Sequence, residues 1–153
     1  MRVGVADTTF SRVDMGLLAV ETLLKEGINV EIERYTVPGC KDLAVASKKL
    51  VEEFSCDIVL ALGWVGKEEI DERCAHEANL GLIQAELLTN THILKVFVHE
   101  REEKDEKKLL ALARDRVVKH TLNALALFKG KTELMKFAGK GRRQGGKDVG
   151  GMG

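Results

Sequence analysis

DIVLALG, residues 57–63, is almost continuously apolar after its first residue. A short run of this kind is typical of an interior strand in a parallel sheet, because helices cover both faces of such a sheet. Three further segments have the composition of strands: residues 2–6, 28–37 and 92–98. Helix-like segments of about 12 residues or more separate the four strands. This alternation predicts a doubly wound α/β fold in three layers, with a four-stranded parallel sheet and helices on both of its faces.

The apolar periodicity of the chain predicts where the first two helices lie. The S-x-x-D pattern of Ser11 and Asp14 predicts the start of the first helix, and Gly27 suits its end. The buried face of this helix is predicted to contain Val13, Leu17, Val20 and Leu24. The second helix is predicted to bury Leu43, Ala46, Leu50 and Phe54.

The third helix, predicted over about residues 67–88, has one face made of small residues, and a fourth is predicted over about residues 104–128. The small residues of the third helix are Cys74, Ala78, Gly81 and Ala85. Side chains of this size allow another helix to approach closely, and a four-stranded sheet also has two edges that need cover. Both features favour a homo-oligomer over a monomer.

The composition is that of one globular domain. The chain has 153 residues, of which 44% are hydrophobic and 31% charged. Lys plus Arg equals Asp plus Glu at 24 each, so bulk charge attracts neither nucleic acid nor a membrane surface. Three cysteines without CxxC spacing argue against a disulfide framework or a zinc site. Without a signal peptide or an apolar run of the ~20 residues that span a membrane, we expect a soluble cytoplasmic protein.

Three segments are predicted along the chain. Residues 1–130 form a single α/β domain, residues 131–145 a C-terminal helix or extension, and residues 146–153 a Gly-rich tail that is disordered unless it docks. Seven basic residues lie between Lys129 and Lys147, against one acidic residue. This basic segment is either a solvated end of the chain or a group that reaches an anionic site.

The carboxyl ends of the four predicted strands carry the chemically distinctive residues. Right-handed crossovers place these ends on one edge of a parallel sheet, so we expect them to meet there. The candidate binding residues are Thr9, Phe10, Pro38, Gly39, Cys40, Lys41, Asp42, Gly63, Trp64, Val65 and His99. Pro38 is the only proline and makes the second of these turns rigid. Phe10 and Trp64, predicted in loops, need cover from a subunit or a flat ligand, although each alone could be a packing residue.

Four stretches of the sequence resemble the archaeal-type riboflavin synthases, which share the lumazine synthase fold. They are VADTTFSRVDM (5–15), VPGCKDL (37–43), CAHEA (74–78) with its flanks, and AGKGRRQG (138–145). The resemblance implies a flavodoxin-like, lumazine synthase-like fold and a homopentamer whose active sites lie between neighbouring subunits. It also implies a dismutation of two 6,7-dimethyl-8-ribityllumazine molecules. One donates a four-carbon unit to the other, giving riboflavin and 5-amino-6-ribitylaminopyrimidinedione.

The resemblance implies no redox cofactor, and for some family members a divalent metal such as Mg²⁺. The sequence contains no ligand cluster to assign to such a metal, so no metal-binding residue is predicted. Lumazine synthase itself is the alternative activity, but its phosphate-binding loop is replaced here by Lys67, Glu68 and Glu69. Two carboxylates would repel a sugar phosphate. A non-catalytic flavin- or lumazine-binding protein is the third hypothesis.

Within the resemblance, each candidate residue has an expected role. Phe10 and Trp64 stack on or wall the heterocyclic rings, and the turn of residues 39–42 binds ribityl hydroxyls or ring edges. The candidates for proton transfer are His76, Asp42, Lys41 and His99. His76 has the pKa class for proton transfer near neutral pH, and Glu77 could orient it. Equally, His76 could be a helix residue bonded to backbone and Glu77 could face solvent.

Overall fold

The computed structural model of the protein describes residues 1–26 and 29–153. Four strands and four α-helices alternate along the chain. They are β1 (Arg2–Thr8), α1 (Met15–Glu26), β2 (Glu31–Val37), α2 (Leu43–Glu52), β3 (Ile58–Val65), α3 (Glu69–Thr89), β4 (Ile93–His99) and α4 (Glu106–Lys129). Short 3₁₀ helices lie at Cys40–Asp42, Glu100–Glu102 and Met135–Phe137. Gly27 and Ile28, predicted to end a helix and begin a strand, lie outside the described residues.

All neighbouring strands are parallel, in the order β2-β1-β3-β4. This is the order of the flavodoxin-like doubly wound folds, without a fifth strand. β3 is buried along its whole length, as its continuous apolar run predicted. The predicted α/β fold with a four-stranded parallel sheet is therefore confirmed.

Side chains alternate across the sheet between two hydrophobic clusters, one under each pair of helices. Leu60 and Leu62 of β3 contact the cluster of α1 and α4, where Met15 and Leu109 lie. Between them, Ala61 points to the opposite cluster, which α2 and α3 cover. The helices therefore form outer layers on both faces of the sheet.

The start and the buried face of α1 differ from the prediction. Asp14, not Ser11, caps this helix, since its carboxylate accepts a hydrogen bond of 2.8 Å from the Leu17 amide. The buried residues of the helix include Met15, Ala19 and Leu23, whereas Leu17 and Leu24 are exposed. A helical period of 3.6 fits either of two adjacent apolar stripes, and the sequence alone did not show which faces the sheet.

The second and third helices pack against each other within the chain. The predicted burial of Leu43, Ala46 and Leu50 is confirmed, but Phe54 lies beyond the end of α2 and is exposed. A methyl group added at Gly81 of α3 would lie 3.2 Å from the Cβ of Ala44. The small-residue face of α3 therefore has its partner helix in the same chain, and it gives no support to an oligomer.

Strand β3 continues past its predicted end at Gly63 and includes Trp64 and Val65. Trp64 is only 3% exposed and belongs to the cluster under α1 and α4. The prediction that Trp64 lies in a loop and needs external cover is wrong, because the protein's own core covers it.

The C-terminal segment makes defined contacts with α4. The Asp115 carboxylate accepts hydrogen bonds of 2.9 and 3.2 Å from the amides of Gly145 and Gly146, and Lys119 donates to the Gly146 carbonyl at 3.2 Å. The division into residues 1–130, 131–145 and 146–153 stays a prediction. No helix within the described residues is both long enough and apolar enough to span a bilayer.

Candidate active site

A cleft of about 260 Å³ opens at the carboxyl edge of the sheet, beside the ends of β1 and β3. The order of strands reverses between β1 and β3, and open α/β sheets bind ligands at such a switch point. The residues that line the cleft are Phe10, Gly39, Cys40, Lys41, Trp64, Val65, Gly66, Asp71 and Cys74. Residues that follow or end three of the four strands meet here, and we call this space the strand-end cleft.

Phe10 offers the aromatic surface of the strand-end cleft. It is 53% exposed, in contrast to the buried Trp64. The preceding residue fixes the loop, since the amide of Thr9 donates to the Val37 carbonyl at 2.9 Å and its hydroxyl to the Pro38 carbonyl at 3.3 Å. Phe10 is thus free to stack on a ligand while its backbone is held in place.

Gly66 leaves room for the Asp71 side chain in the wall of the cleft. A methyl group added there would overlap the Asp71 carboxylate and lie 3.5 Å from Cζ of Phe10. Asp71 accepts a hydrogen bond of 3.1 Å from the Glu68 amide, which forms one half of a capping box at the start of α3. Glycine at this position therefore permits the packing of the cleft wall.

Lys41 is paired with Glu77 across the mouth of the cleft, at 2.5 Å between Nζ and Oε2. This hydrogen bond raises the pKa of Lys41 and lowers the pKa of Glu77. Lys41 therefore remains a cation at neutral pH, suited to donating hydrogen bonds and not to accepting a proton. Both side chains are well exposed, so the pair adds little to stability.

Cys40 lies beside Lys41 in the turn after β2 and is partly buried. Burial raises the pKa of the Cys40 thiol, with a smaller effect from the neighbouring Cys74. A neutral thiol is a poor nucleophile. The turn itself is a 3₁₀ helix in which the Asp42 amide donates to the Gly39 carbonyl at 3.1 Å.

His99 lies at the end of β4 and is oriented by a carboxylate. Its Nδ1 is 2.8 Å from Oε2 of Glu72 on α3, and its amide donates to Glu102 at 3.0 Å. This arrangement, a histidine held by an acid, is one that enzymes use for general acid–base chemistry. His99 is not among the residues that line the strand-end cleft.

Other predicted site residues lie around the cleft instead of on its wall. His76 is exposed on α3, and Asp42 is exposed beside Lys41. Gly63 faces Phe97 inside the sheet, where an added methyl group would come within 2.9 Å of the ring. Glycine at position 63 is therefore explained by the packing of the Phe97 ring. A role for Gly63 in substrate binding stays a prediction, as do the roles of the other candidates.

Comparison with known proteins identifies the family. The model of the 6,7-dimethyl-8-ribityllumazine synthase family matches residues 1–131. The riboflavin synthase of Methanothermobacter marburgensis is 51% identical over 150 residues, covering 98% of each chain. Those of Archaeoglobus fulgidus and Aeropyrum pernix are 48% and 46% identical, over at least 96% of each chain. The chain belongs to the archaeal-type riboflavin synthases, within the lumazine synthase family.

The predicted membership of this family is therefore confirmed. The family model of lumazine synthase ends at residue 131, whereas the archaeal riboflavin synthases match 150 residues of this chain. The match to the archaeal riboflavin synthases thus extends into the C-terminal segment that contacts α4.

Membership of this family raises the question of a divalent metal. Within residues 1–26 and 29–153, no three His, Cys, Asp or Glu side chains are grouped so that they could hold a metal ion. No described residue is therefore assigned to a metal.

Sequence reasoning did not single out two residues that line the strand-end cleft. Asp71 and Cys74 line the cleft three residues apart on one helical face, and the E-x-x-D pattern of Glu68 and Asp71 was a readable capping signal. The carboxylate of Asp7, at the end of β1, is buried and lies outside the cleft lining. It accepts from Arg34 at 2.5 Å and from the Thr36 hydroxyl at 2.7 Å, which ties the ends of β1 and β2 together.

Proposed function

We propose that the protein is a riboflavin synthase that converts two molecules of 6,7-dimethyl-8-ribityllumazine into riboflavin and 5-amino-6-ribitylaminopyrimidinedione. The observation that carries this proposal is about half-identity to riboflavin synthases over nearly the whole chain. The cleft geometry supports it, because residues of three family-like stretches converge there. One substrate molecule gives a four-carbon unit and the other receives it, so the reaction balances without an external oxidant or reductant and needs no redox cofactor.

The charges beside the cleft favour this reaction over that of lumazine synthase. A helix N-terminus ordinarily attracts phosphate, because its first amides are free. In α3 the first turn contains Glu69, Asp71 and Glu72, and the Asp71 amide already donates to the backbone carbonyl of Glu68 at 3.1 Å. These carboxylates would repel a sugar phosphate by about 1 kcal/mol per close charge in water. We therefore propose that the cleft takes a substrate without a phosphate group.

Phe10 is proposed to stack on the heterocycle, since its ring has an exposed face. The amides of Gly39 and Cys40, together with the Asp42 carboxylate, are proposed to bind ribityl hydroxyls or ring edges. Trp64 and Val65 form the floor of the cleft. Holding two rings face to face supplies a large part of the acceleration, because the reaction then proceeds without a search for orientation.

The reaction also requires removal of a proton from the 7-methyl group of the donor and stabilisation of the resulting carbanion through the ring. Lys41, held as a cation by Glu77, is proposed to stabilise that negative charge. The proposed bases are His76, Asp42 and His99. Of these, His99 is the one that a carboxylate orients.

A homo-oligomer, by family resemblance a pentamer in the cytoplasm, is proposed to complete the site. Its support is an apolar stripe on the outer side of α3, formed by the exposed Leu80, Ile83 and Leu87. At helical spacing, His76 lies on the same side of α3 as this stripe. A second copy packed on the stripe would bury leucine side chains and bring His76 next to a neighbouring subunit.

The test supplies the purified protein with 6,7-dimethyl-8-ribityllumazine alone and follows the fluorescence spectrum. Conversion to riboflavin is the expected result. Formation of the lumazine from the pyrimidine and a four-carbon sugar phosphate would instead identify a lumazine synthase. Tight binding of the lumazine without conversion would identify a carrier protein.

A further inference from the structure

The Glu100 carboxylate is buried behind the strand-end cleft, just after β4. The residue is only 9% exposed. One oxygen, Oε1, accepts a hydrogen bond of 2.8 Å from the Trp64 indole and another of 3.3 Å from the Arg12 guanidinium. Arg12 in turn pairs with the exposed Glu106 at 2.5 Å. We call Trp64, Arg12 and Glu100 the carboxylate network.

Burying this charge carries an energetic cost that the fold itself does not require. Removing a carboxylate from water is expensive, and well-packed apolar residues often stabilise a core as well as or better than a buried ion pair. The hydrogen bond from Trp64 lowers the pKa of Glu100, so the group is an anion at neutral pH. The hydrophobic cluster under α1 and α4, to which Trp64 belongs, is otherwise made of apolar residues such as Val98 and Leu109.

The two partners of Glu100 lie beside the strand-end cleft in different ways. Trp64 lines both this cleft and a neighbouring cavity, and Arg12 lines the neighbouring cavity. Arg12 lies two residues beyond Phe10, on the loop between β1 and α1. That loop is fixed on one side by Thr9, through the end of β2, and on the other side by Arg12, through Glu100. Phe10 therefore lies between two anchor points, one of which is the carboxylate.

We propose that Glu100 is a positioning residue for the proposed reaction, which holds the Trp64 wall and the Phe10 ring in register with the stacked substrates. This inference rests on the proposed function. Glu100 touches no substrate in this account. It acts through the indole and the guanidinium, and its loss would displace Phe10 without removing it.

The decisive variant is Glu100→Met, which replaces the carboxylate by an apolar side chain of similar length. We expect kcat to fall by roughly 10- to 100-fold, as small misplacements in an active site do, with a smaller change in KM. The melting temperature should fall, because the buried Trp64 indole loses its acceptor and Arg12 loses one of its two carboxylate partners. Glu100→Gln, which retains an acceptor for the Trp64 indole, should lose less activity.

Glu86→Gln is the matched control. Glu86 is also a partly buried carboxylate with partners on β4, but these partners, Ile93 and Lys95, lie near the amino end of the strand, away from the cleft. It should lower the melting temperature and leave kcat unchanged. If Glu100→Met retains the wild-type kcat, or if the loss of kcat in all three variants simply follows the melting temperature, Glu100 is a structural residue and the proposal is wrong.

A second readout separates this inference from the proposed function. If the wild-type protein does not convert the lumazine, the proposed function fails, and hydrogen exchange of residues 8–14 then tests the anchoring alone. Glu100→Met should accelerate exchange in this loop, and Glu86→Gln should not. Trp64 is the only tryptophan, so its single indole N–H resonance should move upfield in Glu100→Met. Unchanged exchange in the loop would overturn the positioning role.

Discussion

Gly66→Ala tests the packing of the cleft wall most sharply. The added methyl group would lie 3.0 Å from Cγ of Asp71 and overlap its carboxylate, so the Asp71 side chain must move. Its hydrogen bond with the Glu68 amide is then lost, which by analogy with other helix caps costs about 0.5–2 kcal/mol. For a chain of this length, each kcal/mol lowers the melting temperature by roughly 2–4 °C. We therefore expect a decrease of roughly 1–8 °C.

The assay is thermal unfolding followed by circular dichroism, with Gly39→Ala as the control. Gly39 lines the same cleft, but its backbone is extended and a methyl group there meets no atom within 4 Å. The control should therefore have the wild-type melting temperature, or a slightly higher one. Asp71→Ala supplies a double-mutant cycle, because Gly66→Ala should cost little once the carboxylate is absent. An equal cost of Gly66→Ala in both backgrounds would refute the reasoning.

Three further predictions follow from the site. Phe10→Ala should weaken riboflavin binding by about 1–2 kcal/mol, measured by fluorescence quenching. The melting temperature should not change, because the ring is half exposed. Unchanged affinity for riboflavin would exclude stacking by Phe10. His76→Gln and His99→Gln should fold normally, and the variant that lacks the base should have a kcat lower by about 100-fold or more. A wild-type kcat in both variants would leave proton transfer to Asp42. The pKa of Glu100 is below its usual 4.5, so its stabilisation is complete above pH 4.5 and is lost as the pH falls through the folded pKa. Urea unfolding between pH 3 and 6 should show a smaller loss of stability in Glu100→Gln than in the wild type, because other carboxylates with lowered pKa values still titrate in both.

The sequence predicted the sheet because its signal is local and strong. In a chain where strands and helices alternate, the apolar run 57–63 predicts a buried parallel strand. The parallel topology then places Phe10, Gly39 and Trp64 at one edge of the sheet. The cleft was predictable for this reason. The buried face of α1 was not, since Leu17 and Leu23 both fit a helical period and only packing on the sheet distinguishes them.

The carboxylate network could not be read from the sequence. Arg12 and Glu100 are 88 positions apart, and no local pattern links them. Trp64 was misplaced because Gly63 looked like the end of a strand, whereas its missing side chain makes room for the Phe97 ring. Contacts of this kind depend on which elements become neighbours in space.

The most direct test of the central claim is the stoichiometry of a reaction that contains only the protein and 6,7-dimethyl-8-ribityllumazine. Chromatography of the products should show one riboflavin and one 5-amino-6-ribitylaminopyrimidinedione for every two lumazines consumed. Riboflavin without an equal amount of the pyrimidine, or no riboflavin from protein that is folded and assembled, would contradict a dismutation in the strand-end cleft.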